Sequence, residues 1–247
     1  MPRKQGNGRA PALEPEAAAQ AVAARLRALA NPKNAAGMAR FGISDKALGI
    51  SMPALRAMAR ELGRDHGLAL ALWETGIHEA RILAALVDEP GRVTGAQMER
   101  WVAGLDSWDV CDQVMNKLFD RTPLAWDKAA NWAGRPETFV RRAGFSLMAT
   151  LAVHDKKAPD GRFEAFLDLV SSHAADERNY VKKAVNWALR QIGKRNEALC
   201  DKALDLARDL AGAESPAARW VGRDALRELS SPAVRARLSE KRAIKVL

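Results

Sequence analysis

The chain has 247 residues, 48% of them hydrophobic, which is enough to bury a substantial core and excludes a disordered or fibrous protein. Its 39 Lys and Arg against 30 Asp and Glu leave a net charge of +9; that excess fits a polyanionic partner, nucleic acid ahead of membrane, with solvated charged faces as the competing explanation. Two cysteines and four scattered histidines make no metal-binding spacing, so neither metal nor cofactor is expected, and no apolar run approaches the roughly 20 residues of a membrane span. The expectation is a monomeric, soluble, cytoplasmic protein.

Residues 1–12 are basic, aperiodic and carry Gly and Pro, and read as a mobile arm ahead of a single domain over 13–247. The helical period then takes over. Glu14 to Ala30 is an Ala-rich helix, and Ser51 with Pro53 marks the N-cap and first turn of a helix ending near Gly63. Further helices are predicted at about 67–75, 78–87, 94–104, 107–119, 123–133, 137–153, 160–172, 179–194, 197–211, 216–229 and 231–242. Pro and Gly punctuate the breaks, no segment alternates with the period of a strand, and the chain reads as all-α.

The second half repeats itself. Phe139-Val140-x-Arg142, Tyr180-Val181-x-Lys183 and Trp220-Val221-x-Arg223 share an aromatic-Val-x-basic pattern at offsets of 41 and 40 residues. That is the period of HEAT-like helical pairs, which stack into a solenoid. Equivalent positions on stacked helices face the same way, so Arg142, Lys183 and Arg223 are expected to form a cationic ladder on a concave basic face. Arg141, Lys182, Arg190, Lys194, Arg195 and Arg219 would thicken it. Such a track suits a phosphate backbone; solvated helix surface with weak ion pairs is the other reading.

Within YVKKAVNWALRQIGK, the residues Val181, Ala184, Val185, Ala188, Leu189 and Ile192 gather on one side, whereas Trp187 falls within about 40° of Lys183, Arg190 and Lys194. An indole thus sits in a cationic stripe, either facing a ligand or packing on a neighbouring repeat. In SWDVCDQVMNKLF, Trp108 and Asp112 are four residues apart and stack on one helix side, at the edge of the apolar face of Val110, Cys111, Val114 and Leu118. A carboxylate there is either raised in pKa by desolvation or held ionised by cations; taken alone, a surface Asp or a partner for a neighbouring helix is the favoured reading. Two indoles, a carboxylate and an arginine gathered in one hollow would suit a cationic alkylated purine in DNA.

The chain resembles the AlkD-type DNA alkylation repair glycosylases, a HEAT-like-repeat family, from about Asn31 to Asn196. The likeness is carried by NPKNAAGMARF with LGISMPALR, by SWDVCD, by FVRRAGFSLM and by DERNYVKKAVNWALRQIGK. It implies excision of N3- and N7-alkylpurines from double-stranded DNA, with Asp112 as the catalytic aspartate. Trp108 and Trp187 match the aromatic residues lining the lesion site, and Arg142 matches the arginine that touches the DNA backbone. Two positions depart from the family pattern: Phe41 stands where a tyrosine is common, and Ser107 where an aromatic can occur. A non-catalytic binder of damaged or branched DNA is the alternative for the same face, and a protein-scaffolding solenoid a third.

Overall fold

The protein is described by a computed structural model covering residues 14–43 and 46–246, with side chains through residue 240; the basic arm expected over residues 1–12 lies outside the described residues. Among the described residues there are fourteen α-helices, two 3-10 turns and no strand. In chain order the helices are α1 (Pro15–Ala28), α2 (Pro32–Ala39), α3 (Met52–Leu62), α4 (His66–Glu74), α5 (His78–Val87), α6 (Gly95–Ala103) and α7 (Trp108–Lys117). They continue as α8 (Ala125–Ala133), α9 (Thr138–His154), α10 (Asp160–His173), α11 (Asn179–Gly193), α12 (Glu197–Gly212), α13 (Pro216–Leu229) and α14 (Pro232–Val246).

Local chemistry sets these limits. Side-chain oxygens of Ser51, Asp65, Thr94, Asn196 and Ser215 accept from backbone N–H groups in the first turns they precede, and α3 ends at Gly63 with φ +76°. Helix α2 is absent from the sequence-based expectation because it buries none of its residues and so leaves no apolar period. It forms on its cap: Asn31 Oδ1 accepts from Asn34 N at 3.1 Å, and Pro32 opens the first turn.

Alternate helices pack into one continuous layer, α3, α5, α7, α9, α11 and α13, while α8, α10, α12 and α14 back its later half. The architecture is an α-solenoid of stacked helical pairs. Successive layer helices run parallel in the second half. Arg142 of α9 reaches the Tyr180 carbonyl at the start of α11, and Arg195, just past the end of α11, reaches the Ala152 carbonyl near the end of α9. Two glycines let paired helices close. A Cβ on Gly144 of α9 would run into the Ala133 backbone nitrogen and lie 2.9 Å from the Ala129 carbonyl of α8, and one on Gly222 of α13 would meet Ala211 and Ala207 of α12.

The core is continuous through the solenoid. Trp73 stacks on Trp101 at 4.2 Å, and Phe119 bridges Trp101 and Trp132 at 5.9 and 6.2 Å, tying α4, α6 and α8 along an aromatic spine. The apolar stripe read from α11 is buried throughout, with Val181, Ala184, Val185, Ala188, Leu189 and Ile192 at 1% exposure or less.

Candidate active site

The start of α7 is pinned to α5 before any site chemistry begins. Asp109 accepts from Ser107 Oγ at 2.5 Å and pairs with the buried His78 Nε2 at 2.8 Å. Burial pulls the His78 imidazole down, but Asp109 outweighs it and the net shift is upward. Burial pushes Asp109 up, and His78 outweighs it, leaving that carboxyl below its ordinary value. The pair thereby fixes the rotation of α7 and, through it, where Trp108 and Asp112 face.

Asp112 faces α9. Its Oδ1 accepts from Arg142 Nε at 3.2 Å and Ser146 Oγ at 2.9 Å, while Oδ2 accepts from Arg142 Nη2 at 2.7 Å. Arg142 Nη1 donates to the Tyr180 carbonyl at 2.7 Å, so the guanidinium clasps α7, α9 and α11 together. Its side chain is 6% exposed and that of Asp112 20% exposed. Burial pushes the Asp112 carboxyl up from its ordinary value, opposed by the charge and hydrogen bonds of Arg142 and by the Ser146 hydroxyl. Burial pulls Arg142 down, Asp112 outweighs it, and the guanidinium is held charged. The adjacent Cys111 thiol is pushed up by burial, away from thiolate chemistry.

Trp108 forms one wall. The Arg142 guanidinium lies 5.9 Å from its ring centroid, and its Nε1 donates to the Phe41 carbonyl at 3.0 Å. Tyr180, whose ring packs 5.3 Å from Phe139, donates its hydroxyl to the Gly42 carbonyl at 3.2 Å. Gly42 has φ +72°, and a Cβ there would strike the Tyr180 hydroxyl, so only glycine fits this turn. The turn after α2 is therefore tied to α7 and α11, and it leaves the Phe41 ring 76% exposed beside the site.

Trp187 stands one helix further along the layer, at the place on α11 that Ser146 holds on α9, the same offset that relates Lys183 to Arg142. It is half-buried against the core, and its Nε1 lies 3.2 Å from the Gln191 side-chain oxygen in the amide orientation that satisfies both groups. Among the described residues, no hydrogen bond or ring contact joins it to Trp108 or Asp112. The structure thus joins Asp112 to Arg142, sets the Arg142 guanidinium near the Trp108 ring, and places Trp187 on the next helix.

The cationic ladder needs correction. Arg142 is no rung, because Asp112 and the Tyr180 carbonyl occupy it and bury it. Arg141 pairs with Asp176 at 2.9 Å on the α10 side. Arg190 pairs with Glu228, as does Lys194 at 2.5 Å, so both are bound to α13. Lys182 lies over the Trp220 ring at 5.1 Å. Lys183 and Arg223 remain exposed, with no ion pair among the described residues. Ser146 and Tyr180 were missed by sequence reasoning; Ser146 follows Arg142 by one helical turn and shares its face, which is the signal that points to it.

Residues 22–229 match the family described as DNA alkylation repair enzyme. The uncharacterised protein Lin0241 of Listeria innocua is 23% identical over 190 residues, covering 75% of this chain and 83% of its own. A solved structure, described as a new family of proteins related to the HEAT-like repeat DNA glycosylases with affinity for branched DNA structures, superposes with a TM-score of 0.72. It is 19% identical and covers 89% of this chain and 95% of its own, a likeness of fold. With the family match running from α1 to the last residue of α13, the chain belongs to the DNA alkylation repair enzyme family.

Proposed function

We propose that the chain is a DNA glycosylase that hydrolyses the N-glycosidic bond of cationic N3- and N7-alkylpurines in duplex DNA. One observation carries this reading: the Asp112 carboxylate, clasped by Arg142 and Ser146, stays partly exposed, and the same Arg142 lies near the Trp108 ring. A cationic purine leaves with the electron pair of its bond to C1′ and departs neutral, passing positive charge to the sugar. A fixed carboxylate stabilises that charge and orients the water whose oxygen bonds to C1′; the water's proton passes to the carboxylate or to solvent, and an abasic site remains. The Trp108 and Trp187 faces attract the cationic base. Arg142 serves as a positioning residue that opposes protonation of Asp112 and aims it, since each of its three nitrogens already donates within the protein. Lys183 and Arg223 meet backbone phosphates.

A duplex carrying a single 7-methylguanine tests this. Free 7-methylguanine and an alkali-labile strand are the expected products, and intact DNA after prolonged incubation with saturating protein refutes hydrolysis. The second reading is non-catalytic binding of damaged or branched DNA. Two observations favour it: both Asp112 oxygens already accept from Arg142, and the structurally similar family is described as having affinity for branched DNA. Tight, salt-sensitive binding without base release would select it.

A further inference from the structure

A second aromatic and cationic site lies at the start of α13. Phe139, Tyr180 and Trp220 hold equivalent places on α9, α11 and α13, but their surroundings differ. Phe139 and Tyr180 are half-buried and pack on each other. Trp220 has no ring partner among the described residues and is 39% exposed. Lys182 lies over its ring, and the ring borders an open groove of about 290 Å³ along one face of α13, between Pro216, Arg219, Arg223, Asp224 and Arg227. Lys182 itself does not line that groove.

The charge of the groove is cationic in excess. Asp224 is taken up by Arg227, by Asn186 Nδ2 at 2.7 Å and by Arg190 Nε at 3.8 Å. Arg219 spends one nitrogen on the Ala213 and Glu214 carbonyls, at 3.0 and 2.5 Å. Arg223 makes no side-chain hydrogen bond or ion pair among the described residues and is exposed. At about 8–10 Å between packed helices, α13 lies on the order of 20 Å along the layer from Arg142. That separation spans about six base pairs of duplex at ~3.4 Å per step, so this site is distinct from the one built on Asp112.

We propose that this groove takes an unpaired nucleotide of single-stranded DNA, with its base stacked on Trp220 and its phosphate held by Arg223 and Arg219. A duplex offers only its backbone here, because each base face is already covered by its neighbours. An unpaired strand offers both a π-face and a phosphate, which are the two things these side chains bind. The inference goes beyond excision and requires only that DNA is the partner.

The test is fluorescence anisotropy with full-length protein, comparing a blunt duplex with the same duplex extended by a single-stranded tail. Wild type is expected to prefer the tailed DNA. Trp220→Ala should lose about 5- to 150-fold of the tailed-DNA affinity, the scale of one stacked base, while Trp220→Phe keeps most of the preference. The buried seam of α13, Ala218, Val221, Ala225 and Leu229, is untouched by either variant. Equal wild-type affinity for the two DNAs, or an undiminished preference in Trp220→Ala, overturns the proposal and leaves the glycosylase reading standing. Failure to bind the blunt duplex as well overturns both. Loss of base excision with the tail preference intact sinks only the glycosylase reading.

Discussion

Replacing Arg142 with methionine keeps the apolar stem and removes the guanidinium, leaving Asp112 with Ser146 as its remaining donor among the bonds described above. Stripping one partner from a buried ion pair costs about 3–5 kcal/mol. Because the Asp112 side chain is 20% exposed, the lower end applies. At roughly 2–4 °C per kcal/mol for a domain of this size, a loss of about 3 kcal/mol lowers Tm by about 6–12 °C. Asp112→Asn in the same background removes the stranded charge, so the double variant should recover much of the loss. The sign with pH follows from burial, which raises the folded-state pKa of Asp112 above its unfolded value. The deficit of Arg142→Met should therefore be small at acid pH, grow as pH rises through the wild-type folded-state value, and be complete only above the still higher value that Asp112 takes without Arg142. Urea unfolding of wild type, both single variants and the double variant at two pH values measures all of this. Single-variant effects that add within about 0.5 kcal/mol, with a deficit independent of pH, would refute the coupling.

Gly144→Ala should destabilise by about 1–3 kcal/mol, as overpacking does, because its Cβ meets the α8 backbone. Gly161→Ala, in α10 with nothing within 4 Å, should be neutral or gain up to about 1 kcal/mol; thermal melts of the two variants compare them. The His78–Asp109 pair stabilises most between the ordinary values of 3.8 for the aspartate and 6.5 for the histidine. The support from Asp109 is lost as pH falls through its lowered value, and that from His78 as pH rises through its raised one. Asp109→Asn should therefore lower the urea midpoint more at pH 5.5 than at pH 9, and equal shifts would contradict the pairing. Lys183→Glu should weaken duplex binding for any sequence and reduce the salt slope by about 1. Arg190→Glu should instead lower Tm by placing like charge against Glu228. Salt titrations of binding and melts of the folded variants separate the two effects.

Much of the fold was readable because Pro and Gly mark the breaks and the buried stripes are strongly periodic, as on α11. Helix α2 escaped because an exposed helix has no apolar stripe; its Asn31–Pro32 start was its only local signal. For the site, the spacing of Trp108 and Asp112 set them on one side of α7, and the repeat put Arg142, Lys183 and Arg223 in one register. Register fixes the direction in which a side chain leaves its helix, but the neighbouring helix decides what it meets. Arg142 meets Asp112, 30 residues away in sequence, and Arg190 meets Glu228, 38 residues away. Those carboxylates turn expected phosphate contacts into internal clasps, and no single helix announces them. The tie between the turn at Phe41–Gly42 and Trp108 spans 67 residues and becomes visible only once the layer is assembled.

Side-by-side measurement of base release by wild type and Asp112→Asn, on methylated duplex DNA, tests most directly whether the clasped carboxylate performs the hydrolysis. Wild type should release 7-methylguanine or 3-methyladenine. Asp112→Asn should lose about 10²- to 10³-fold or more of that rate, the cost of removing one preorganised charge stabiliser, while still binding the duplex. Release undiminished by the substitution, or no release by either protein at saturating concentration, would contradict that role for Asp112.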